Sequence, residues 1–157
     1  MLARLVSVGS YLKDTSVSYR MSIWKGALKI INNHWFIGSG VGTAAFTAFY
    51  LDYMIPGVEA QHSHNWFMQI MIEMSVVALA VMLLIFFYSI KDVSCTVKKT
   101  GTLECKFVLI PLVSALVGIF VEGFVDHIFY NNIIYMMFWI VIALLVAGLN
   151  IYDNQQL

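Results

Sequence analysis

Three long apolar runs dominate the pattern of hydrophobic and polar positions along the chain. Each run carries no more than one charged residue, and the three runs cover residues 66–90, 107–124 and 128–152. Because about 20 apolar residues cross the hydrocarbon core of a bilayer, each run predicts a transmembrane helix. We therefore predict an all-α, polytopic membrane protein with a three-span membrane region over residues 66–152.

Basic residues predict how these spans are oriented. The connector from Lys91 to Lys106 holds four of the nine basic residues of the chain. Short basic connectors of this kind stay on the cytoplasmic side of the membrane. We therefore expect residues 1–65 to form an extracytoplasmic segment and residues 153–157 to form a cytoplasmic tail.

The predicted outer segment has a helical pattern of its own over about residues 16–33. Apolar and polar positions alternate there at helical spacing, with Val17, Trp24, Leu28 and Ile31 opposed by Arg20, Lys25, Lys29 and Asn32. This pattern indicates an amphipathic helix on the membrane face. The glycine run that follows, residues 38–42, has no preceding strand and no following Lys-Ser/Thr pair, so it predicts a close-packed loop and not a phosphate-binding loop.

Composition supports the membrane interpretation and narrows the possible partners. Hydrophobic residues make up 61% of the chain and charged residues 11%, less than half the charged share of a soluble domain, roughly 25%. The formal net charge is zero, which argues against nucleic acid as a partner. Cys95 and Cys105 lack the spacing of a zinc site and are expected to be free thiols.

Polar residues at the start of the first span are the first candidates for chemistry. His62, Ser63, His64 and Asn65 precede it directly, and Gln69 and Glu73 follow on one helical face. Polar groups at that depth usually face a bundle interior or a wet cavity. The alternative is that the histidines cap the helix or lie among the lipid headgroups. Zinc would need further ligands from His34, His127 or a carboxylate, and we expect no metal.

Two further pairs are spaced four residues apart. Arg20 and Trp24 form one pair, in which the arginine suits phosphate oxygens or, alternatively, reaches toward the interface beside an interfacial tryptophan. Glu122 and Asp126 form the other pair, which could act as an acid and a base or could hold Arg20 or a histidine in place. We favour the structural role for the two carboxylates.

The order of these features resembles the O-antigen ligase and polysaccharide polymerase superfamily of bacterial membrane proteins. The resemblance rests on Arg20-x-x-x-Trp24, on the stretch from His34 to Gly42, and on His64-Asn65 opening a transmembrane helix. It covers roughly residues 16–150 and includes an acidic residue, Asp126, ahead of the last span. Members have more than three spans, so the resemblance implies the C-terminal part of such a protein, with a partner chain as one source of the missing spans.

The resemblance implies transfer of a glycan from a polyprenyl diphosphate carrier to a hydroxyl of a glycan or lipid acceptor. The reaction would take place on the outer face of the bacterial cytoplasmic membrane, in cell-envelope polysaccharide biosynthesis, without a cofactor or a metal. His64 would be the proton acceptor and Arg20 would neutralise the diphosphate. The other residues implied to contact substrate are Trp24, His62, Asn65 and Asp126.

The alternative is a non-catalytic protein of the membrane. It would be a remnant, an accessory subunit or a transporter fragment in which Glu73 and Glu122 serve an ion path.

Overall fold

A computed structural model describes residues 15–154 of the chain. Residues 1–14 of the predicted outer segment and residues 155–157 of the predicted tail lie outside the described residues. Every regular element from residue 15 to residue 154 is helical, which confirms the all-α prediction. The elements are α1 (Thr15–His34), α2 (Thr43–Leu51), α3 (Trp66–Glu73), α4 (Val76–Thr100), α5 (Leu103–Glu122), a 3₁₀ turn (Ile128–Tyr130) and α6 (Asn132–Asn154).

The described part of the chain forms two compact units, which divide between residues 78 and 79. In the first unit, α1 packs against α2 and α3 around a small apolar core. The core consists of Ile23, Ala27, Ile30, Ile31, Phe46, Tyr50 and Ile72. Helix α1 occurs where the amphipathic pattern predicts it.

The face of α1 that packs on the core overlaps the predicted apolar face in part, because Ile31 is buried and Val17 and Trp24 are half-buried. Leu28, which the pattern places on the apolar face, is 47% exposed, whereas Ala27 is fully buried. A Cβ atom at Gly26 would lie 2.8 Å from Cε2 of Tyr50. The small residues at positions 26 and 27 therefore let α2 approach α1 closely. This close contact determines which face of α1 packs on the core.

The predicted first span, residues 66–90, is divided into two helices. Helix α3 ends at Glu73 and α4 begins at Val76, and between them Ser75 has a φ of 104°. The carbonyl oxygens of Ile72 and Glu73 accept from the backbone N–H groups of Ser39 and Gly40, at 2.6 and 3.0 Å. In a continuous helix these two carbonyls would accept from N–H groups four residues later in the chain. Here N–H groups of the glycine run take the place of those helical donors.

Three helices of the described chain are long and apolar enough to cross a membrane. They are Val76–Thr100, Leu103–Glu122 and Asn132–Tyr152. Only 6–17% of their most apolar windows is buried inside the protein, so most of this apolar surface needs lipid around it. The protein is therefore a membrane protein with three candidate spanning helices.

The predicted basic connector between residues 91 and 106 is mostly helical. Helix α4 continues to Thr100, and Gly101 and Thr102 alone form the turn before α5. Gly101 has a φ of 71°, and the Thr102 side chain accepts from the N–H of Cys105. Lys98 and Lys99 lie in the last turn of α4. Positive side chains there are stabilised by the negative end of the helix dipole, so the basic residues do not interrupt the helix.

The second unit packs α5 against α6. Leu109 and Leu116 of α5 are buried with Phe138 and Leu145 of α6. Helix α6 starts at Asn132, later than predicted, because the side chain of Asn131 accepts from the N–H of Ile133 and caps the helix (2.9 Å).

The predicted shared helical face of Glu122 and Asp126 is absent. Helix α5 ends at Glu122, so Asp126 lies in the turn beyond the helix. Its carboxylate accepts from the N–H of His127 at 2.8 Å. The structural role that we favoured for the pair, holding Arg20 or a histidine in place, stays a prediction.

Candidate active site

The histidine loop, residues 62–65, is held by hydrogen bonds around a buried serine. The N–H of Ser63 donates to Oε1 of Gln69 at 2.7 Å, and its hydroxyl donates to the carbonyl of Asn65 at 2.7 Å. Asn65 caps α3 by accepting from the N–H of Met68 at 2.9 Å. Ser63 is fully buried, and the residues on either side of it, His62 and His64, are half-buried.

The two histidines of this loop lie side by side. The ring centroids of His62 and His64 are 4.2 Å apart, and both residues are half-buried. His64 has a φ of 51°, a left-handed conformation that non-glycine residues rarely adopt. Such conformations cluster at functional sites, where the surrounding structure maintains the strain.

A polar chain along α3 connects the histidine loop to the glycine run. Gln69 is 1% exposed, and its amide donates to Oε1 of Glu73 at 2.9 Å. The same carboxylate oxygen accepts from the N–H of Gly42 at 3.1 Å. The shared helical face of Gln69 and Glu73 predicted from sequence therefore exists, and it links the two loops.

The glycine run lies directly against the end of α3. Gly38 has a φ of 72°, and a Cβ atom there would lie 2.6 Å from the carbonyl oxygen of Glu73. No side chain fits at that distance, so glycine is required by both conformation and space. The expected close-packed loop is present, and its packing partner is the backbone of α3.

A cavity of about 550 Å³ opens beside the two histidines. Helix α1 contributes Tyr19, whose hydroxyl donates to the carbonyl of Glu59, and α2 contributes Thr43 and Thr47. The complete lining is Tyr19, Thr43, Thr47, Glu59, Ala60, Gln61, His62 and His64. Hydroxyl, amide, carboxylate and imidazole groups therefore meet at one cavity, a set suited to hydrogen bonding with a hydroxyl-rich molecule.

A comparison with known protein families identifies the segment that carries this cavity. The family model described as O-antigen ligase matches residues 1–83, more than half of the chain. The chain belongs to the O-antigen ligase family. No curated protein and no solved structure matches the chain in the corresponding comparisons. The matched residues include the described parts of α1, the glycine run, α2, the histidine loop and α3, and they end inside α4.

Arg20 and Trp24, which the resemblance to O-antigen ligases singles out, lie one turn apart on α1. Both are half-buried. The indole N–H of Trp24 is buried and has no hydrogen-bond partner among the described residues. Arg20 does not line the cavity, although its chain neighbour Tyr19 does.

Asp126 belongs to the second unit and lies beyond the part of the chain that the O-antigen ligase model matches. The structure therefore brings together the predicted residues His62 and His64, with Asn65 beneath them as a helix cap. A substrate role for Asp126 stays a prediction.

Several residues of the cavity are not predicted from the sequence. Thr43 and Thr47 lie one turn apart on α2, a helix that the pattern analysis leaves unassigned, and Glu59 and Gln61 lie in a segment without periodicity. The one sequence signal for this wall of the cavity is the pair of threonines spaced four residues apart after the glycine run.

Tyr50 is buried in the apolar core of the first unit. Its ring stacks on Phe46 at a centroid distance of 5.4 Å, and its hydroxyl has no hydrogen-bond partner among residues 15–154. Burial raises the pKa of the Tyr50 hydroxyl, and the nearby Tyr19 raises it further. Tyr50 is therefore neutral at physiological pH and serves the packing of α2 on α1.

Proposed function

We propose that this protein transfers a glycan from a polyprenyl diphosphate carrier to a hydroxyl of a glycan or lipid acceptor. The proposal is carried by one observation: within the segment that matches O-antigen ligases, His64 and His62 line a cavity rich in hydroxyl and amide groups. The reaction takes place on the outer face of the bacterial cytoplasmic membrane, which requires residues 1–65 to lie outside.

His64 is the proposed general base of the transfer. The imidazole takes the proton of the acceptor hydroxyl while the acceptor oxygen attacks the anomeric carbon of the donor sugar. The bond between that carbon and the diphosphate oxygen breaks, and polyprenyl diphosphate leaves. His62 and Trp24 contact substrate, as does Asp126.

Arg20 neutralises the charge that develops on the leaving diphosphate. A guanidinium offers two parallel donors to phosphate oxygens and stays charged at all relevant pH values. This electrostatic stabilisation supplies what a metal ion supplies in other transferases. We expect no cofactor and no metal requirement.

Asn65 has a positioning role in addition to the direct substrate contact that the resemblance implies. Its side-chain oxygen already accepts from the N–H of Met68. The two hydrogen bonds of Ser63 and the cap formed by Asn65 hold in place the loop that carries His64.

The alternative of an ion path through Glu73 finds no support in its contacts. Oε1 of Glu73 accepts from the amide of Gln69 and from the N–H of Gly42. These bonds tie the glycine run to α3 and account for the carboxylate in structural terms.

The test is glycan transfer by His64→Asn compared with the unchanged protein. Asparagine tolerates the left-handed backbone of position 64, so the loop keeps its shape while the base is lost. We expect transfer to fall by roughly 10²–10⁴-fold. The assay uses purified lipid-linked donor and acceptor, with the chain in nanodiscs, alone or together with a partner chain that supplies further spans.

His34→Asn is the matched control. His34 stands on α1 in the same unit, packs edge-on against Phe49 at 5.3 Å and does not line the cavity. We expect this variant to keep most of the transfer activity. Substantial activity in His64→Asn, or equal losses in both variants, would show that His64 is not the base.

A further inference from the structure

The loop between α1 and the glycine run exposes a cluster of large apolar side chains. Trp35 is 54% exposed, Phe36 62% and Ile37 85%. The rings of Trp35 and Phe36 pack edge to face at a centroid distance of 5.5 Å. We call these three residues the aromatic wedge. Contiguous exposed apolar surface of this kind marks an interaction site.

Backbone hydrogen bonds place the aromatic wedge at the start of a candidate spanning helix. The carbonyl of Trp35 accepts from the N–H of Val76 at 2.9 Å, and Val76 is the first residue of α4. Met74, in the break between α3 and α4, is 47% exposed. The wedge therefore lies at the level at which α4 begins.

The length of the uncharged part of α4 bears on whether the start of this helix lies in hydrocarbon. Residues 76–90 carry no charge, and at a rise of about 1.5 Å per residue they span roughly 22 Å. The hydrocarbon core of a bilayer is about 30 Å thick. Lys91 and Asp92 follow, with the Lys91 ammonium 5.7 Å from the ring centroid of Tyr88, a pairing typical of an interface. The uncharged part of α4 is therefore shorter than the hydrocarbon core, which favours hydrocarbon that extends past Val76 toward the wedge.

The backbone of the loop is suited to an environment without water. The N–H groups of Gly38, Ser39 and Gly40 donate to the carbonyls of His34, Ile72 and Glu73 respectively. Irregular backbone at membrane depth is tolerated only where its polar groups are satisfied inside the protein. The N–H groups of Gly38, Ser39 and Gly40 meet this condition through their bonds to α1 and α3.

We propose that the aromatic wedge inserts into the acyl chains of the bilayer beside the start of α4. The partner is lipid hydrocarbon, and the inserted residues hold α3 and the glycine run at a fixed depth in the membrane. This inference rests on the exposure and hydrogen bonding of residues 35–40 and is independent of the glycan-transfer reaction.

Tryptophan fluorescence tests the insertion directly. The emission of Trp35 is obtained as the difference between the unchanged chain and Trp35→Phe in lipid vesicles. We expect this difference to be blue-shifted and quenched several-fold more strongly by lipids brominated on their acyl chains than by aqueous iodide. The corresponding difference for the half-buried Trp24, from Trp24→Phe, is the control and should respond less to brominated lipid.

Two results would overturn the proposal. Stronger quenching by iodide would place Trp35 in water, and a blue-shifted emission that neither quencher affects would mean that protein covers the wedge.

A cysteine pair provides a second measurement that does not depend on fluorescence. Ile37→Cys and Lys29→Cys are compared in a Cys95→Ser background, because the remaining Cys105 is fully buried. A thiol in hydrocarbon does not ionise, so a water-soluble maleimide should label position 37 many-fold more slowly than exposed position 29. Equal labelling rates would contradict insertion.

Discussion

Replacing Gly38 by alanine tests whether the contact between the glycine run and α3 holds the first unit together. The new Cβ atom would lie 2.6 Å from the carbonyl oxygen of Glu73 and 2.9 Å from its carbonyl carbon. Both are backbone atoms that cannot rotate away. The loop must therefore retreat from α3, and the bonds from Ser39 and Gly40 to that helix lengthen or break.

The expected cost combines conformation and hydrogen bonding. A left-handed backbone costs alanine about 1 kcal/mol or more, and each lost hydrogen bond costs roughly 0.5–1.5 kcal/mol. With two bonds lost, Gly38→Ala should destabilise the unit by about 2–4 kcal/mol. At about 4–8 °C per kcal/mol for a unit of this size, this corresponds to a fall in Tm of roughly 8–32 °C.

Gly57→Ala provides a matched control. Gly57 also has a positive φ, 83°, but a Cβ atom there meets nothing within 4 Å. Its substitution should cost only the conformational part, about 1 kcal/mol. Thermal unfolding in nanodiscs gives both values, and amide exchange at positions 39 and 40 should accelerate in Gly38→Ala alone. Equal Tm values for the two variants would refute the reasoning, because the close approach would then carry no energy.

Four further predictions follow from individual contacts. Glu73→Ala should destabilise the first unit by roughly 2–3 kcal/mol because the amide of buried Gln69 and the N–H of half-buried Gly42 lose their acceptor, whereas Glu73→Gln, which keeps the oxygen, should cost less than half of that in the same unfolding assay. Ser75→Gly should stabilise by about 0.5–1 kcal/mol, since relief of strain exceeds the entropy cost of glycine; a lower Tm would contradict this. Arg20→Lys should weaken binding of polyprenyl diphosphate nearly as much as Arg20→Ala, while Lys25→Ala should leave it unchanged; equal losses at position 25 would indicate diffuse charge. A membrane-impermeant maleimide should not label exposed Cys95 in intact cells, and prompt labelling would invert the predicted topology.

The helical class, the three candidate spans and α1 were predictable because they depend on long apolar runs or on helical periodicity. Three candidate spans and α1 all occur near their predicted places. The division of the first run was not predictable from apolarity, because Met74 and Ser75 are compatible with a helix. It depends on hydrogen bonds donated by a loop more than thirty residues earlier in the chain, and such contacts leave no periodic signal.

The candidate site was predictable in part for a similar reason. His62 and His64 stand next to the start of a helix, where sequence position alone gives their neighbourhood. The opposite wall of the cavity comes from Tyr19 and from the threonines of α2. Their approach depends on the packing of α2 at Gly26, a tertiary contact that local pattern does not encode.

The central claim is that the protein joins glycans by displacing polyprenyl diphosphate with residues of its own. The most direct measurement quantifies new glycosidic bonds and released polyprenyl diphosphate in one reaction, with purified donor, EDTA present and the protein in nanodiscs with any partner spans. We expect equal amounts of the two products, retained activity in Lys25→Ala, and loss of both products in His64→Asn. Release without a new glycosidic bond, or dependence of either product on added metal, would contradict it.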